Sequence, residues 1–114
     1  MLTKDQILGA KDLKKKKVKI PEWGDEVYVS EMSGFMRSQF EFAFTGDTKE
    51  WAKKNVAGLY AVYSVVEENG DLMFSPDDVE DLMKKNGRAL DIISQESEKL
   101  NRIFTNVEDE AKNS

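Results

Sequence analysis

Carboxylates are the most concentrated reactive groups in this sequence. Asp77, Asp78, Glu80 and Asp81 fall within five residues, and Glu67, Glu68 and Asp71 surround Asn69-Gly70. Closely spaced carboxylates can bind a divalent cation or divide acid and base roles between them. A calcium loop, however, sets its ligands on alternate positions around a glycine. The first cluster instead follows Ser75-Pro76, which starts a helix, and acids in a first helical turn complement the helix dipole. The second cluster is closer to a cation loop but too short for an EF-hand. A glycosidase-type carboxylate couple needs a sugar cleft, for which a short, mostly helical chain leaves little room. There is no histidine and no cysteine. The usual zinc ligands, the commonest general base and every thiol nucleophile are therefore absent. The sequence also lacks a glycine-rich phosphate loop, G-x-S-x-G and H-E-x-x-H. The expectation is a protein that is not an enzyme, with no catalytic residues, no metal and no cofactor.

Positive charge gathers at the other end of the chain. Residues 1–20 carry seven lysines against two aspartates, a balance of +5 in a chain of net charge −5. Lys14-Lys15-Lys16-Lys17 is the one low-complexity run. It reads either as a patch for an anion or acidic partner, or as a solvated lead-in to a strand, where lysines discourage edge pairing. The rest of the surface is acidic and would repel phosphate, so no nucleic-acid partner is expected. With 39% hydrophobic and 34% charged residues the composition is that of a soluble globular chain. Its apolar runs are too short to span a bilayer, so no membrane partner is expected. Lys4 and Asp5 come early with no apolar stretch behind them, which argues against a secretory signal and for a cytoplasmic protein.

The elements that would position these groups are readable from patterning. Thr3-Lys4-Asp5-Gln6 is a capping box for a short first helix, with Leu13 as its last buried contact. Val18-Lys19-Ile20 and Val27-Tyr28-Val29 alternate around the turn-rich Pro21–Glu26 link, predicting a β-hairpin over about 17–30 whose valines and isoleucine face the core. Ser33 caps the next helix, with Phe35, Met36, Phe40, Ala43 and Phe44 as its core stripe, Phe42 off that stripe and Gly46 as the stop. Asp47 to Val66 reads as one long helix, capped by Asp47 with Glu50, with Ala52, Val56, Leu59, Tyr60, Tyr63 and Val66 on one face. Asn69-Gly70 turns the chain into a short extended return through Phe74. Ser75-Pro76 opens a helix that runs to about Lys85. A final helix runs from Arg88 to about Phe104 on Leu90, Ile93, Ser97 and Leu100. The predicted fold class is α+β, mainly α-helical, with the N-terminal hairpin packed on four or five helices. Residues 1–104 form one domain, and 105–114 an acidic, flexible tail.

Trp23, near the hairpin tip, is either a lid folded onto the hairpin's apolar face or an exposed anchor for a partner. Tyr28, Met32, Phe42 and Met73 complete the candidate protein-binding residues, the methionines because a flexible thioether adapts to varied surfaces. Met36 and Met83 read as core filling.

The order of features resembles a known family. An opening helix at Thr3–Leu8 leads to Pro21-Glu22-Trp23-Gly24 and Val27-Tyr28-Val29. Ser33-Gly34 then starts a helix. Later come Glu68-Asn69-Gly70-Asp71-Leu72-Met73-Phe74-Ser75-Pro76-Asp77-Asp78-Val79-Glu80-Asp81-Leu82 and a last helix ending Lys99-Leu100-Asn101-Arg102. Over residues 3–104 this resembles the tail assembly chaperones of long-tailed phages and prophages. Asp25 stands where a second glycine is common in that family, and Ser30 where a basic residue is common. The resemblance implies a non-enzymatic protein of the host cytoplasm, absent from the mature virion. It implies that the protein binds and solubilises the tape measure protein, helps recruit tail tube protein, and self-associates along its client. A longer frameshift product carrying a tube-binding domain is also common in the family. The alternative is a minor virion component or a small acidic adaptor.

Overall fold

The computed structural model describes residues 1–103. Phe104, expected at the end of the last helix, and the tail expected over 105–114 lie outside the described residues. The fold is α+β and mainly helical. Among the described residues there are six α-helices and one three-stranded antiparallel sheet of order β1-β2-β3.

The hairpin forms where alternation predicts it, two residues longer at its start. β1 (Lys15–Ile20) pairs with β2 (Asp25–Ser30) in a register running from Lys15 opposite Ser30 to Ile20 opposite Asp25. Val18, Ile20 and Val29 are buried, and Val27 packs against the core. Most of the lysine run is therefore strand rather than a lead-in. Lys16 shares the inner face with Val18 and Ile20 by the strand's two-residue period. Pro21–Trp23 forms a 3-10 turn, and Gly24 closes it at φ 76, a left-handed conformation that costs glycine little.

The largest correction concerns Asp47 to Val66, which is not one helix. Gly46–Thr48 is a 3-10 turn, α3 spans Lys49–Lys54 and α4 spans Val56–Ser64. Asp47 does not cap; the Thr48 hydroxyl instead donates to the carbonyls of Ala43 (2.8 Å) and Thr45 (3.2 Å). Asn55 interrupts the helix at φ −124, ψ 25, and its side-chain amide donates to Trp51 O at 2.8 Å. At the far end the β-branched pair Val65-Val66 leaves the helix to become β3, with Val65 opposite Val29 and Val66 opposite Tyr28. The predicted single apolar face is also too narrow. Gly58, Leu59, Tyr60, Ala61, Val62 and Ser64 are all buried, which is the mark of a helix enclosed on every side.

The other elements enclose α4. α2 (Gly34–Phe42) begins with the Ser33 hydroxyl accepting from Met36 N–H at 3.2 Å. It sets Phe40 against Tyr60, with ring centroids 4.8 Å apart. α2 ends at Phe42, so Gly46 does not stop it. After Val66 the chain turns at Asn69-Gly70, with Gly70 at φ 94, and returns through a bridge between Val66 and Leu72. Glu67 N–H donates to Asp71 O at 2.7 Å, and the Asn69 carboxamide oxygen accepts from Asp71 N–H at 3.0 Å. Ser75-Pro76 then starts a 3-10 turn that runs into α5 (Val79–Leu82), with the Asp78 carboxylate accepting from Ser75 N–H at 2.8 Å. α6 (Gly87–Asn101) is capped by Asn86, whose oxygen accepts from Arg88 and Ala89 N–H. Ala89, Leu90, Ile93 and Ser97 form its buried side. α1 (Lys4–Leu8) has both halves of the expected capping box. None of its residues is buried, and Leu13 is exposed rather than a core contact.

Two substitutions test this arrangement by thermal or denaturant unfolding. Leu59→Asp places an uncompensated charge at a position only 2% exposed and should cost at least about 3–5 kcal/mol, a large fraction of a small domain's stability. A wild-type melting curve would contradict the core position of α4. At Gly58 an added Cβ would meet Val79 Cγ1 and O at 3.1 Å and Met83 Cγ at 3.2 Å. Gly58→Val should therefore destabilise by roughly 1–3 kcal/mol through overpacking between α4 and α5. Unchanged stability would mean that the two helices are not held this closely.

Candidate protein-binding surfaces

An aromatic stripe lies on the outside of α2. Residues 35, 38, 39 and 42 repeat at helical spacing and share one face. Phe40 turns inward and fixes the helix's rotation, which leaves Phe35 73% and Phe42 70% exposed, with exposed Ser38 and Gln39 between them. No charge interrupts this stripe. Arg37 lies beside it, pairing with Glu41 at 2.8 Å and donating to the Asn101 carbonyl at 2.9 Å. Two open phenylalanines one heptad apart are not part of the core among the described residues, and clustered open aromatics mark an interaction surface.

A second apolar feature is the N-terminal arm. Met1, Leu2, Ile7, Leu8 and Leu13 are all exposed. The arm is rooted where Lys14 N–H donates to a Glu31 carboxylate oxygen at 2.7 Å and Glu31 N–H donates back to Lys14 O at 2.8 Å. Glu31 is two residues before the Ser33 cap of α2. The arm and the α2 stripe therefore start from neighbouring points on the fold.

A third surface is the outer face of the sheet. Tyr28 pairs across the strands with Lys17. The ammonium groups of Lys15 and Lys17 lie 4.6 Å and 5.9 Å from its ring centroid, within cation–π range. Lys15 Nζ also donates to Glu68 O. On the opposite face Lys16 forms an ion pair with Glu96 of α6 at 3.0 Å.

The candidate binding residues divide between these regions. Phe42 is on the α2 stripe. Trp23 is 39% exposed and lies outside the core cluster, in the turn that packs against α6. Tyr28 is half-buried under its two lysines. Met73, 40% exposed, follows the bridge that extends the sheet beyond β3. Met32 is 8% exposed and belongs to the core; it has no free surface to offer a partner. Met36 and Met83 pack against the core as read. Sequence reasoning missed Phe35, assigned to the core stripe, and the exposed arm. Its i, i+7 relation to Phe42 was the available signal.

Asn101 is a further residue the sequence did not single out. Its side-chain oxygen accepts from Met32 N–H at 2.6 Å, and its amide donates to Ser97 O at 3.0 Å and approaches Ser30 O at 3.5 Å. It ties the end of α6 to the segment joining β2 and α2, and so holds the base of both apolar features. Burial pushes the Tyr63 phenol up from its ordinary pKa. Among the described residues no three acidic side chains gather where they could hold a metal ion, and no helix is long and apolar enough to cross a membrane.

No protein-family model and no curated protein sequence matches this chain. Among solved structures it is similar to the bacteriophage HK97 tail assembly chaperone. The two are 19% identical and superpose with a TM-score of 0.60 over 89% of this chain and 95% of that one. The chain thus has the fold of a phage tail assembly chaperone, in agreement with the resemblance seen in its sequence.

If the α2 stripe is free in solution, Phe35→Ser and Phe42→Ser should each change unfolding free energy by no more than about 0.5 kcal/mol, as surface substitutions do. A loss of several kcal/mol in denaturant titration would show that these rings are covered.

Proposed function

We propose that this protein is a phage tail assembly chaperone, a binding protein rather than an enzyme. The fold shared with the bacteriophage HK97 tail assembly chaperone over nearly the whole of both chains carries this reading. The client is the tape measure protein, which the chaperone binds and keeps soluble in the host cytoplasm while tail tube subunits are recruited. The chaperone self-associates along the client and is left out of the mature virion.

The surfaces described above support this role physically. A long helical client with exposed apolar faces needs contacts that are apolar, individually weak and tolerant of sequence. The Phe35–Phe42 stripe and the arm with Ile7, Leu8 and Leu13 are of this kind. The acidic exterior, net −5 over the chain, would keep an assembly of many copies soluble.

Co-expression with the tape measure protein of the same genome tests the proposal. The expected outcome is a soluble complex with several chaperone copies per client, measured by affinity capture and light scattering. The chaperone carrying both Phe35→Ser and Phe42→Ser should leave more client in the pellet while remaining folded itself. A client that stays insoluble beside the wild-type chain, or recovery of the protein from purified particles, would overturn the reading.

A further inference from the structure

The sheet has two open edges, and they differ in chemistry. In an antiparallel ladder alternate residues turn their N–H and C=O groups outward. The bond from Glu31 N–H to Lys14 O fixes this alternation for β1, so Lys15, Lys17 and Lys19 turn theirs to the free side of that strand. Lysines on an edge strand discourage pairing with another chain. The other edge is the return past β3. There Val66 bridges Leu72, Met73 N–H donates to Val65 O at 3.1 Å, and Glu67 N–H donates to Asp71 O. Leu72 and Phe74 therefore turn their backbone groups outward, and these have no hydrogen-bond partner among the described residues. No lysine guards this edge: Leu72, Met73 and Phe74 are apolar, and Met73 is 40% exposed. Around them, residues 67–78 carry five carboxylates and no lysine or arginine. None of the five forms a salt bridge among the described residues, and Lys15 meets Glu68 at its carbonyl oxygen.

A segment with matching needs lies in the N-terminal arm. Residues 10–14 belong to no helix or strand, and Lys11, Asp12 and Leu13 make no backbone hydrogen bond among the described residues. Leu13 is 46% exposed, and Lys11 and Lys14 outnumber Asp12 in charge. Lys14 continues the β1 ladder opposite Glu31, so the arm leaves along the strand axis, not across the sheet to its own Leu72. Ahead of it, α1 buries none of its residues. An apolar, basic, unpaired arm and an apolar, acidic, unpaired edge thus stand on the same chain without meeting.

We propose that residues 11–14 of one copy add as an antiparallel strand to the Leu72–Phe74 edge of a second copy. Leu13 set opposite Leu72 extends the apolar row that Tyr28, Val66 and Leu72 make across the sheet. The same register sets Lys14 opposite Asp71. The outward backbone groups of Leu72 and Phe74 then find partners at Leu13 and Lys11, which is strand addition at a sheet edge. The contact joins two different surfaces, so it runs head to tail, and each added copy brings a free arm or a free edge for the next. The Phe35–Phe42 stripe takes no part and stays open to a client. The inference gives a contact for the self-association in the proposed function, and it rests on that part of the reading.

Disulfide trapping on the full-length chain tests it, because the chain has no cysteine of its own. In the proposed register Asp12 stands opposite Met73 as a non-hydrogen-bonded pair, with Cα atoms about 4.5 Å apart, a separation that a disulfide spans. Both residues are exposed in the single chain. Chains carrying Asp12→Cys and chains carrying Met73→Cys are purified apart, mixed without client and oxidised with oxidised glutathione. Light scattering follows association of the wild-type chain in parallel. The mixed dimer should exceed either homodimer, and the product of Asp12→Cys with a Ser38→Cys control, by at least about fivefold, since the 12–73 pair alone is held in disulfide range. Association in which the 12–73 link is no more abundant than the control would overturn this inference and leave self-association standing. A wild-type chain that stays monomeric at every concentration would overturn both. In the Asp12→Cys, Met73→Cys double variant, an intrachain disulfide with no linked dimers would assign the edge to the chain's own arm and overturn the inference as well.

Discussion

The fold depends on the enclosure of α4. Six of its nine residues are buried, with Leu59, Tyr60, Ala61 and Val62 pointing around the whole helix. A helix apolar on every side is unstable in water and needs neighbours all around it. α6, α5, α2 and the start of β3 supply them. Each close contact has a local reason. Gly58 lets Val79 approach within van der Waals range, and Phe40 stacks obliquely on Tyr60. With each buried Leu or Val side chain stabilising by about 1.5–3 kcal/mol, this one helix outweighs any surface ion pair among the described residues. Arg37–Glu41, Lys53–Glu50 and Lys84–Asp81 are exposed on both sides and screened.

Enclosing α4 also decides what stays outside. Phe40 has to face Tyr60, so residues five before and two after it, Phe35 and Phe42, rotate toward solvent. The same helix cannot bury both sets. Asn101 fixes the other coordinate: by bonding Met32 it sets where α2 begins, and by reaching Ser30 it sets where β2 ends. The arm's root at Lys14 is joined to Glu31 within that knot. The core and the open apolar surfaces are thus two consequences of one packing solution.

Much of this was legible locally. Thr3 with Gln6, Ser33 with Met36 and Asn69-Gly70 act through hydrogen bonds within a few residues, and all form as read. The hairpin valines alternate as predicted because strand period is a local property. The failures required tertiary information. Val65 and Val66 continue a helical pattern in the sequence, and only pairing with β2 makes them strand. The break at Asn55 separates two segments that both look helical. Phe35 stands five residues from Phe40 and seven from Phe42, so helical spacing puts it on the outer stripe with Phe42; that Phe40's face is the buried one depends on where Tyr60 sits. Met32 was misread because a methionine outside any periodic run looks like surface. The arm's exposure could not be read either, since Ile7, Leu8 and Leu13 have the composition of a packed helix and simply lack a neighbour.

On the proposed reading, magnitudes explain why such a chaperone would act in several copies. Covering the two open phenylalanines on a client would stabilise by about 3–6 kcal/mol at best. Association of two free molecules costs on the order of 4–15 kcal/mol in lost motion. One stripe on one copy is therefore too weak to hold a client alone. Copies joined to one another along a single long client bind at high effective concentration, so each added stripe contributes without repeating the full association cost. Small open aromatic stripes on an acidic, rigid body meet both demands: they leave the free protein soluble, and they become effective only when many act together.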